Sequence, residues 1–194
     1  MAVSAFVAAI IFAFFNISPV SNAPAPTPSE TQAIPTAAGD IVGTASIVDG
    51  DTLDIHGTRI RLSGVDAPES GQMCKDAAGR LWRCGSGAAN ALDAFIGGNT
   101  VSCTVVDTDR YGRSVSTCSV RGKDVQQWLV ANGHALAYRQ YSTAYVADEE
   151  KAHKAKAGIW AGDFVNPADW RKGLRMSGEK PTKAMIEGKI GSAT

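Results

Sequence analysis

The sequence predicts an α+β domain that is mainly β, a small Greek-key barrel of five strands with about three helices. Short runs of alternating apolar and polar residues are separated by glycine-containing turns, which is typical of sequential antiparallel strands. Helical patterns follow the third and the fifth of these strands. A barrel of the OB type accounts for this order of elements.

The first 39 residues are expected to lie outside the barrel. Residues 1–23 contain no charged side chain, and an apolar run from Ala2 to Phe15 is followed by small residues ending at Ala23. This pattern predicts a signal peptide cleaved after Ala23, and hence an exported protein of the periplasm or the extracellular space. An uncleaved anchor is the alternative, because no Lys or Arg precedes the apolar run. Residues 24–39, rich in Pro, Ala and Thr, predict a linker.

The first three strands are predicted from Ile41 onward. Ile41 to Val48 is rich in β-branched residues, and a two-residue turn at His56-Gly57 separates two alternating runs. Glycine adopts positive φ freely and histidine tolerates it, so we expect a type I′ hairpin. Its core face would carry Leu53, Ile55, Ile60 and Leu62. This register does not place Asp51 beside Arg61, so a strong twist or a bulge at Asp49-Gly50-Asp51 would be required.

The remaining elements follow from periodicity and glycine stops. They are a helix over Ala88–Ile96, strands over Val101–Val106 and Ser114–Val120, a short helix over Val125–Asn132 and a longer helix over Thr143–Ala157. Trp160, Phe164 and Trp170 are expected to pack back onto the domain. The domain is predicted to span residues 40–176, and residues 177–194, with few large apolar groups, predict a flexible tail.

Four cysteines lie in the predicted domain: Cys74, Cys84, Cys103 and Cys118. An even number in an exported domain indicates disulfides, with three possible pairings. Cys103 and Cys118 flank a turn near Arg110-Tyr111 almost symmetrically, so cross-strand proximity favours this pair and leaves Cys74 to pair with Cys84.

The charge balance excludes a binder that relies on a global basic field. The chain has 19 Lys and Arg against 19 Asp and Glu, and its pI is about 6.8. Affinity for a phosphate must therefore come from local groups.

Acidic residues and an arginine are gathered at the ends of paired strands: Asp51, Asp66, Glu69 and Arg61. Carboxylates that share a cleft repel one another unless a proton or a cation compensates them. Oxygen donors without a His or Cys cluster favour Ca²⁺ or Mg²⁺ over zinc. Because arginine presents a fixed fork of donors to phosphate, the pattern predicts a phosphodiesterase site.

Three separated motifs carry a family resemblance. They are Val48-Asp49-Gly50-Asp51-Thr52, Arg61-x-x-x-Val65-Asp66-Ala67-Pro68-Glu69 and Asp109-Arg110-Tyr111-Gly112-Arg113. Together they resemble the staphylococcal nuclease family of thermonuclease-like domains, over about residues 41–170. The resemblance implies an OB-fold barrel that uses one Ca²⁺ to cut DNA and RNA, leaving 3′-phosphate and 5′-hydroxyl ends. Residues 72–84 are interpreted as an insertion that carries its own disulfide.

The resemblance also implies roles for the residues at matching positions. The metal ligands would be Asp51, Asp66 and the backbone carbonyl of Ala67. The catalytic residues would be Arg61, Glu69 and Arg113, with Glu69 orienting or deprotonating the attacking water and the arginines binding the phosphate. The substrate contacts would be Arg110, Tyr111, Tyr138 and Tyr141.

Structural explanations compete with several of these roles. Glu69 can be a surface carboxylate, and Asp49, which is not counted as a ligand, can simply set a turn. Arg113 can pair with Asp109 at the surface. Tyr138 and Tyr141 can be half-buried packing residues with a solvated hydroxyl.

The leading hypothesis is an exported, monomeric, Ca²⁺-dependent endonuclease that acts on DNA and RNA, chiefly single-stranded, without stable membrane association after signal cleavage. The alternative is a noncatalytic nucleic-acid-binding module on the same barrel. Binding alone would favour lysines over a charge-repelling acidic cluster, which argues against that module. A disulfide-stabilised Ca²⁺-binding surface protein would explain the acids but not Arg61 and Arg113. Alkaline activity is also expected, because protonation of Glu69 or of the ligands would disable the site.

Overall fold

The structure, a computed structural model, describes residues 40–179. The predicted signal peptide and linker, residues 1–23 and 24–39, lie outside the described residues, as does the predicted tail after residue 179. The described residues all belong to one compact unit. Between residues 40 and 179, no helix is both long and apolar enough to cross a membrane.

Strands dominate the first half of this unit and helices the second. The strands are β1 (Asp40–Asp49), β2 (Thr52–Ile55), β3 (Thr58–Leu62), β4 (Val65–Asp66), β5 (Cys74–Lys75), β6 (Leu81–Trp82), β7 (Thr100–Thr108), β8 (Ser114–Val120), β9 (Lys123–Asp124) and β10 (Leu136–Ala137). The helices are α1 (Cys84–Ile96), α2 (Val125–Ala131), α3 (Val146–Lys154) and α4 (Pro167–Arg171), with a 3₁₀ turn over Gly158–Ala161.

Five of the strands close into a barrel. The antiparallel order is β3-β2-β1-β7-β8, and β3 also pairs in parallel with β8, which joins the two edges of the sheet. Short ladders lie outside it, with β9 beside β8, β10 beside β4 and β5 beside β6. The predicted α+β, mainly β barrel of the OB type is confirmed.

The hairpin of β2 and β3 has the predicted turn and register. His56 and Gly57 have φ values of 54° and 82°, as a type I′ turn requires. Thr52 pairs with Arg61 across the two strands. The residues that face the core are no more than 1% exposed: Leu53, Ile55, Ile60 and Leu62.

A bulge in β1 brings Asp51 to Arg61, which the regular register of β2 and β3 alone would not do. The pairing of β1 with β2 shifts between Ile47 and Asp49, so β1 advances two residues while β2 advances one. Asp51 follows in the turn and is 3% exposed. Its carboxylate thereby reaches Arg61, although strict alternation along the strands would keep the two apart.

The helices differ from the predicted bounds at their ends. Helix α1 begins at Cys84, before the predicted start at Ala88, because the chain enters it from a disulfide loop. Helix α3, Val146–Lys154, is shorter at both ends than the predicted Thr143–Ala157. Helices α1 and α2 cover the barrel with fully or nearly buried residues that include Leu92, Ile96, Val125, Leu129 and Val130.

Both disulfides have the pairing that the sequence favours. Cys103 lies directly opposite Cys118 in the register of β7 and β8. Cys74 is bonded to Cys84 and closes the hairpin of β5 and β6. Trp160 and Phe164 pack against the small apolar cluster around this second disulfide, whereas Trp170 lies under Arg175, 3.7 Å from the guanidinium carbon to the ring centroid.

Candidate active site

One cleft at the open end of the β2–β3 hairpin collects the predicted site residues. Those that line it are Asp51, Arg61, Ala67, Glu69, Arg110, Tyr111, Arg113, Tyr138 and Tyr141. Asp66 is 3% exposed and is bonded to two residues of the lining, Arg61 and Arg171. The structure therefore brings every predicted catalytic, metal and substrate residue to one place.

Asp51 is fixed in this cleft by its neighbours. Its Oδ2 accepts a hydrogen bond of 2.8 Å from the backbone amide of Ala67, and its Oδ1 pairs with the Arg61 guanidinium. Asp49 accepts a hydrogen bond of 3.1 Å from the backbone amide of Asp51. Asp49 thus sets the turn, as the structural explanation for it required.

Arg61 lies between two carboxylates. Its Nη1 pairs with Asp51, while its Nη2 donates to Asp66 Oδ1 at 3.2 Å and to the Val65 carbonyl at 3.3 Å. Burial lowers the pKa of the Arg61 guanidinium from its ordinary value, against the opposing charge of Asp66. An arginine remains protonated after such a shift. Because one guanidinium contacts both Asp51 and Asp66, carboxylate oxygens of these two residues lie close together in the cleft.

This donor set fits a hard cation such as Ca²⁺. Within residues 40–179, no three or more His, Cys, Asp or Glu side chains are arranged to hold a metal. The set consists instead of two carboxylates, Asp51 and Asp66, with the backbone of Ala67 beside them. Calcium sites complete such a set with backbone carbonyls and water, and all of these donors are oxygen atoms.

Glu69 contacts an arginine that the sequence did not point to. Arg171 Nη1 donates to Glu69 Oε1 at 2.8 Å and to Asp66 Oδ1 at 3.0 Å, and its Nη2 donates to Asp66 Oδ2 at 3.0 Å. The hydrogen bonds to Asp66 are the main reason why the pKa of Arg171 is raised above its ordinary value. Arg171 is in no recognised motif, and the expected packing of Trp170 was the one sequence signal near it.

A buried glutamine holds the turn of Glu69. The Gln72 side chain is fully buried, and its carbonyl oxygen accepts a hydrogen bond from the Glu69 backbone amide at 3.1 Å. Its amide nitrogen donates to the Val165 carbonyl at 2.6 Å. Gly85 packs directly on this turn, since a Cβ there would lie 1.7 Å from the Glu69 carbonyl oxygen. The predicted insertion therefore begins with a residue that supports the site.

Arg113 is presented by a tight loop that Asp109 organises. Asp109 accepts hydrogen bonds from the backbone amides of Tyr111 and Arg113 at 2.9 and 3.0 Å, and from Arg113 Nε at 2.7 Å. Burial alone would raise the pKa of Asp109, but the hydrogen bonds from Arg113 and Tyr111, together with the charge of Arg113, outweigh it and lower that pKa. The surface pairing of Arg113 with Asp109 exists, yet Arg113 also lines the cleft, and its charge helps to lower the pKa of Arg61.

Tyrosines form the outer wall of the cleft. Tyr111 and Tyr141 are 70% and 72% exposed. Tyr138 meets Tyr141 edge-to-face with ring centroids 4.8 Å apart, and its backbone amide donates to the Gly64 carbonyl at 2.9 Å. On the next element, the buried Glu149 accepts a hydrogen bond from the backbone amide of Ala137. The tyrosine segment is thus held against the cleft from two sides.

The family model described as staphylococcal nuclease homologue matches residues 59–162 of this chain. The succinoglycan biosynthesis protein ExoI of Rhizobium meliloti is 43% identical over 64% of this chain and 66% of its own length. A protein of Escherichia coli O157:H7 named uncharacterized endonuclease is 32% identical over 71% of this chain and 89% of its own length. The probable staphylococcal-like nuclease CAN3 of rice is 36% identical over 60% of this chain but 29% of its own length. The chain therefore belongs to the staphylococcal nuclease homologue family, and the family assigned from the three sequence motifs is confirmed.

Proposed function

We propose that this protein is an endonuclease that hydrolyses phosphodiester bonds of DNA and RNA with Ca²⁺ and little sequence specificity, leaving 3′-phosphate and 5′-hydroxyl ends. Family membership and the endonuclease names of its relatives support a hydrolytic nuclease. The observation that carries the proposal is the cleft itself, where the buried carboxylates of Asp51 and Asp66 lie beside Arg61, Arg113 and the more exposed Glu69.

Different residues of the cleft carry out different parts of the proposed hydrolysis. A Ca²⁺ held by Asp51, Asp66 and the Ala67 carbonyl would supply positive charge near the phosphate oxygens. Arg61 and Arg113 bind the non-bridging oxygens, where negative charge grows as water attacks phosphorus. Glu69 accepts the proton of that water. The bond from phosphorus to the 5′ oxygen breaks, and the leaving oxygen takes a proton from solvent.

The substrate preference follows from what lines the cleft. Exposed Tyr111 and Tyr141 offer flat faces on which bases of a single strand can stack. Arginine contacts to phosphate carry no sequence information, and stacking accepts any base. Single-stranded DNA and RNA are therefore the proposed substrates, with Arg110 adding a charge beside Tyr111.

The proposed setting is the periplasm or the extracellular space, where the protein acts as a monomer after removal of residues 1–23. The disulfides Cys74–Cys84 and Cys103–Cys118 support an oxidising compartment. A mass measurement on the exported protein tests this part: an amino terminus at Pro24 supports it, and an intact chain contradicts it.

The activity is tested by cleavage of labelled single-stranded DNA and RNA with Ca²⁺, with a chelator and with Glu69→Gln. We expect Ca²⁺-dependent cleavage that falls by about 10²–10⁴ in the variant, the usual contribution of a general base. Glu150→Gln removes an exposed carboxylate from α3 and serves as the matched control. Products that a polynucleotide kinase labels directly at the 5′ end support the proposed chemistry. Binding without cleavage would favour the noncatalytic module instead.

A further inference from the structure

Arg171 closes the carboxylate side of the cleft from outside. Its side chain is 38% exposed, whereas that of Asp66 beneath it is 4% exposed. The guanidinium makes a two-point contact with both oxygens of Asp66 and a third contact with Glu69. Such bidentate, charge-assisted contacts are among the stronger hydrogen bonds in proteins.

These contacts use most of the bonding capacity of Asp66. A carboxylate offers about four lone-pair positions. Oδ1 accepts from both Arg61 and Arg171, and Oδ2 accepts from Arg171. A divalent cation that binds Asp66 must occupy a lone-pair position on one of the two carboxylate oxygens. Its charge then repels the guanidinium that is held against the same oxygens. The cation and the two-point contact of Arg171 therefore compete for Asp66.

The placement of Arg171 is built into the fold. Helix α4 begins at Pro167, with the Asn166 side chain accepting a hydrogen bond from the Ala168 amide. The residue before this cap, Val165, is tied by its carbonyl to the buried Gln72 side chain, which also holds the Glu69 amide. Arg171 and Glu69 are thus anchored to one common residue.

We propose that Arg171 is a positioning residue that holds Asp66 and Glu69 and competes with the divalent cation for Asp66. The inference rests on the proposed function, because it takes Asp66 as a ligand of the cation. When a cation binds, Arg171 leaves Asp66 and stays within reach of Glu69. Cation affinity is then set in part by α4, which lies beyond the residues that the family model matches.

Calorimetric titration of the full chain with CaCl₂ tests this competition without any measurement of cleavage. Arg171→Gln removes the competitor, and we expect Ca²⁺ to bind about five- to tenfold more tightly, within the range of ordinary coupling between ligands. Arg171→Lys keeps the charge but loses the two-point contact, so its affinity should lie between the two. Lys172→Gln is the matched control, because Lys172 pairs with Asp169 at the surface, 3.0 Å away.

Two results would overturn the competition. One is Ca²⁺ binding to Arg171→Gln that is equal to or weaker than binding to wild type. The other is an equal gain in Lys172→Gln, which would reveal a general effect of net charge. If neither the wild-type protein nor the variants bind Ca²⁺, the cation site of the proposed function is refuted, and the inference with it. Unchanged affinity together with Ca²⁺-dependent cleavage would refute the inference alone.

A second measurement covers the case in which Arg171→Gln does not fold. The Nε–H resonance of Arg171 in the wild-type protein, assigned by comparison with Arg171→Lys, is followed during the same titration. We expect this resonance to shift with Ca²⁺ as the contact with Asp66 breaks. A resonance that does not move while Ca²⁺ binds contradicts the proposal.

Discussion

The side-chain carbonyl of the buried Gln72 accepts a hydrogen bond of 3.1 Å from the backbone amide of Glu69. The same side chain donates to the Val165 carbonyl at 2.6 Å, so one amide fixes the Glu69 turn to the segment that leads into α4. The Gln72 side chain takes no direct part in the proposed reaction. Its effect on the site is through the position of Glu69.

Replacement of Gln72 by Met should therefore impair catalysis as well as stability. A buried donor or acceptor left without a partner costs about 1–3 kcal/mol, and the Glu69 turn loses its anchor. We expect the kcat for single-stranded DNA to fall about tenfold, since misplaced catalytic groups are costly. Urea unfolding and steady-state kinetics measure the two effects.

The matched control for this substitution is Gln126→Met. Gln126 is equally buried, and its side chain bonds the Cys118 amide and the Ser116 carbonyl on the barrel. This variant should lose stability without a comparable loss of kcat in the folded fraction. Equal losses of kcat in both variants would show that Gln72 acts through global stability.

Gly85→Ala should disrupt the Glu69 turn from the other side. A Cβ at this position would lie 1.7 Å from the Glu69 carbonyl oxygen, a backbone atom that cannot swing away. Gly87→Ala, on the same helix, meets only the Trp82 side chain at 2.7 Å, which can rotate. We expect Gly85→Ala to lower both the unfolding midpoint and kcat far more than Gly87→Ala. Similar values for the two variants would contradict the close approach.

Arg61→Lys should lower the rate of cleavage almost as much as removal of the side chain would. A lysine keeps the charge but cannot reach Asp51, Asp66 and a phosphate as a planar fork does. Loss of one such stabiliser costs about 10²–10³ in rate. Arg59→Lys on the same strand is the control, because Arg59 is 59% exposed and pairs loosely with Asp54 at 3.7 Å. A fully active Arg61→Lys would exclude a two-point role.

Tyr141→Ala should weaken binding of single-stranded DNA while Tyr141→Phe should not. The ring is 72% exposed beside the cleft, and stacking on a base is worth about 1–3 kcal/mol. We expect about a tenfold rise in Kd for the alanine variant, measured by fluorescence anisotropy in a Glu69→Gln background in which cleavage is slow. Equal weakening by the phenylalanine variant would point to the hydroxyl group and away from stacking.

The half-buried His134 should make the fold less stable in mild acid. Burial lowers the pKa of His134 below its ordinary value, so the unfolded chain takes up a proton near pH 6.5 while the folded protein does not. The stabilising contribution is present above about pH 6.5 and is lost as pH falls toward the folded-state pKa. The free energy of unfolding, measured with urea at pH 8 and pH 5, should fall more in wild type than in His134→Gln. A larger fall in the variant would contradict this sign.

Residues that act through local patterns were accessible from the sequence. The Asp66 to Glu69 motif, the His56-Gly57 turn and the core face of the first hairpin follow from spacing and turn chemistry. A strong twist or a bulge near Asp49 was also expected, because the regular register could not bring Asp51 to Arg61, and the structure has the bulge. These features depend on residues close together in the chain or on a regular alternation.

Contacts that depend on tertiary docking were not accessible in this way. Arg171 reaches Asp66 from the far end of the domain, and arginines at helix ends are common on surfaces with no partner. Gln72 looked like the first residue of an insertion, since its burial depends on Val165 folding over it. The early start of α1 at Cys84 likewise depends on the disulfide and on the Gly85 contact.

The parallel pairing of β3 with β8 has a consequence for how activity appears during folding. Arg61 lies on β3, Arg113 immediately precedes β8, and that pairing joins segments distant in the sequence. Contacts of this kind tend to form slowly, because closing the long loop between the two segments costs conformational entropy. The first hairpin alone presents Arg61 without Arg113, so a partly folded chain has only one of the two arginines that are proposed to bind the phosphate. Recovery of cleavage after dilution from denaturant should thus lag behind hairpin formation and report the closing of the barrel.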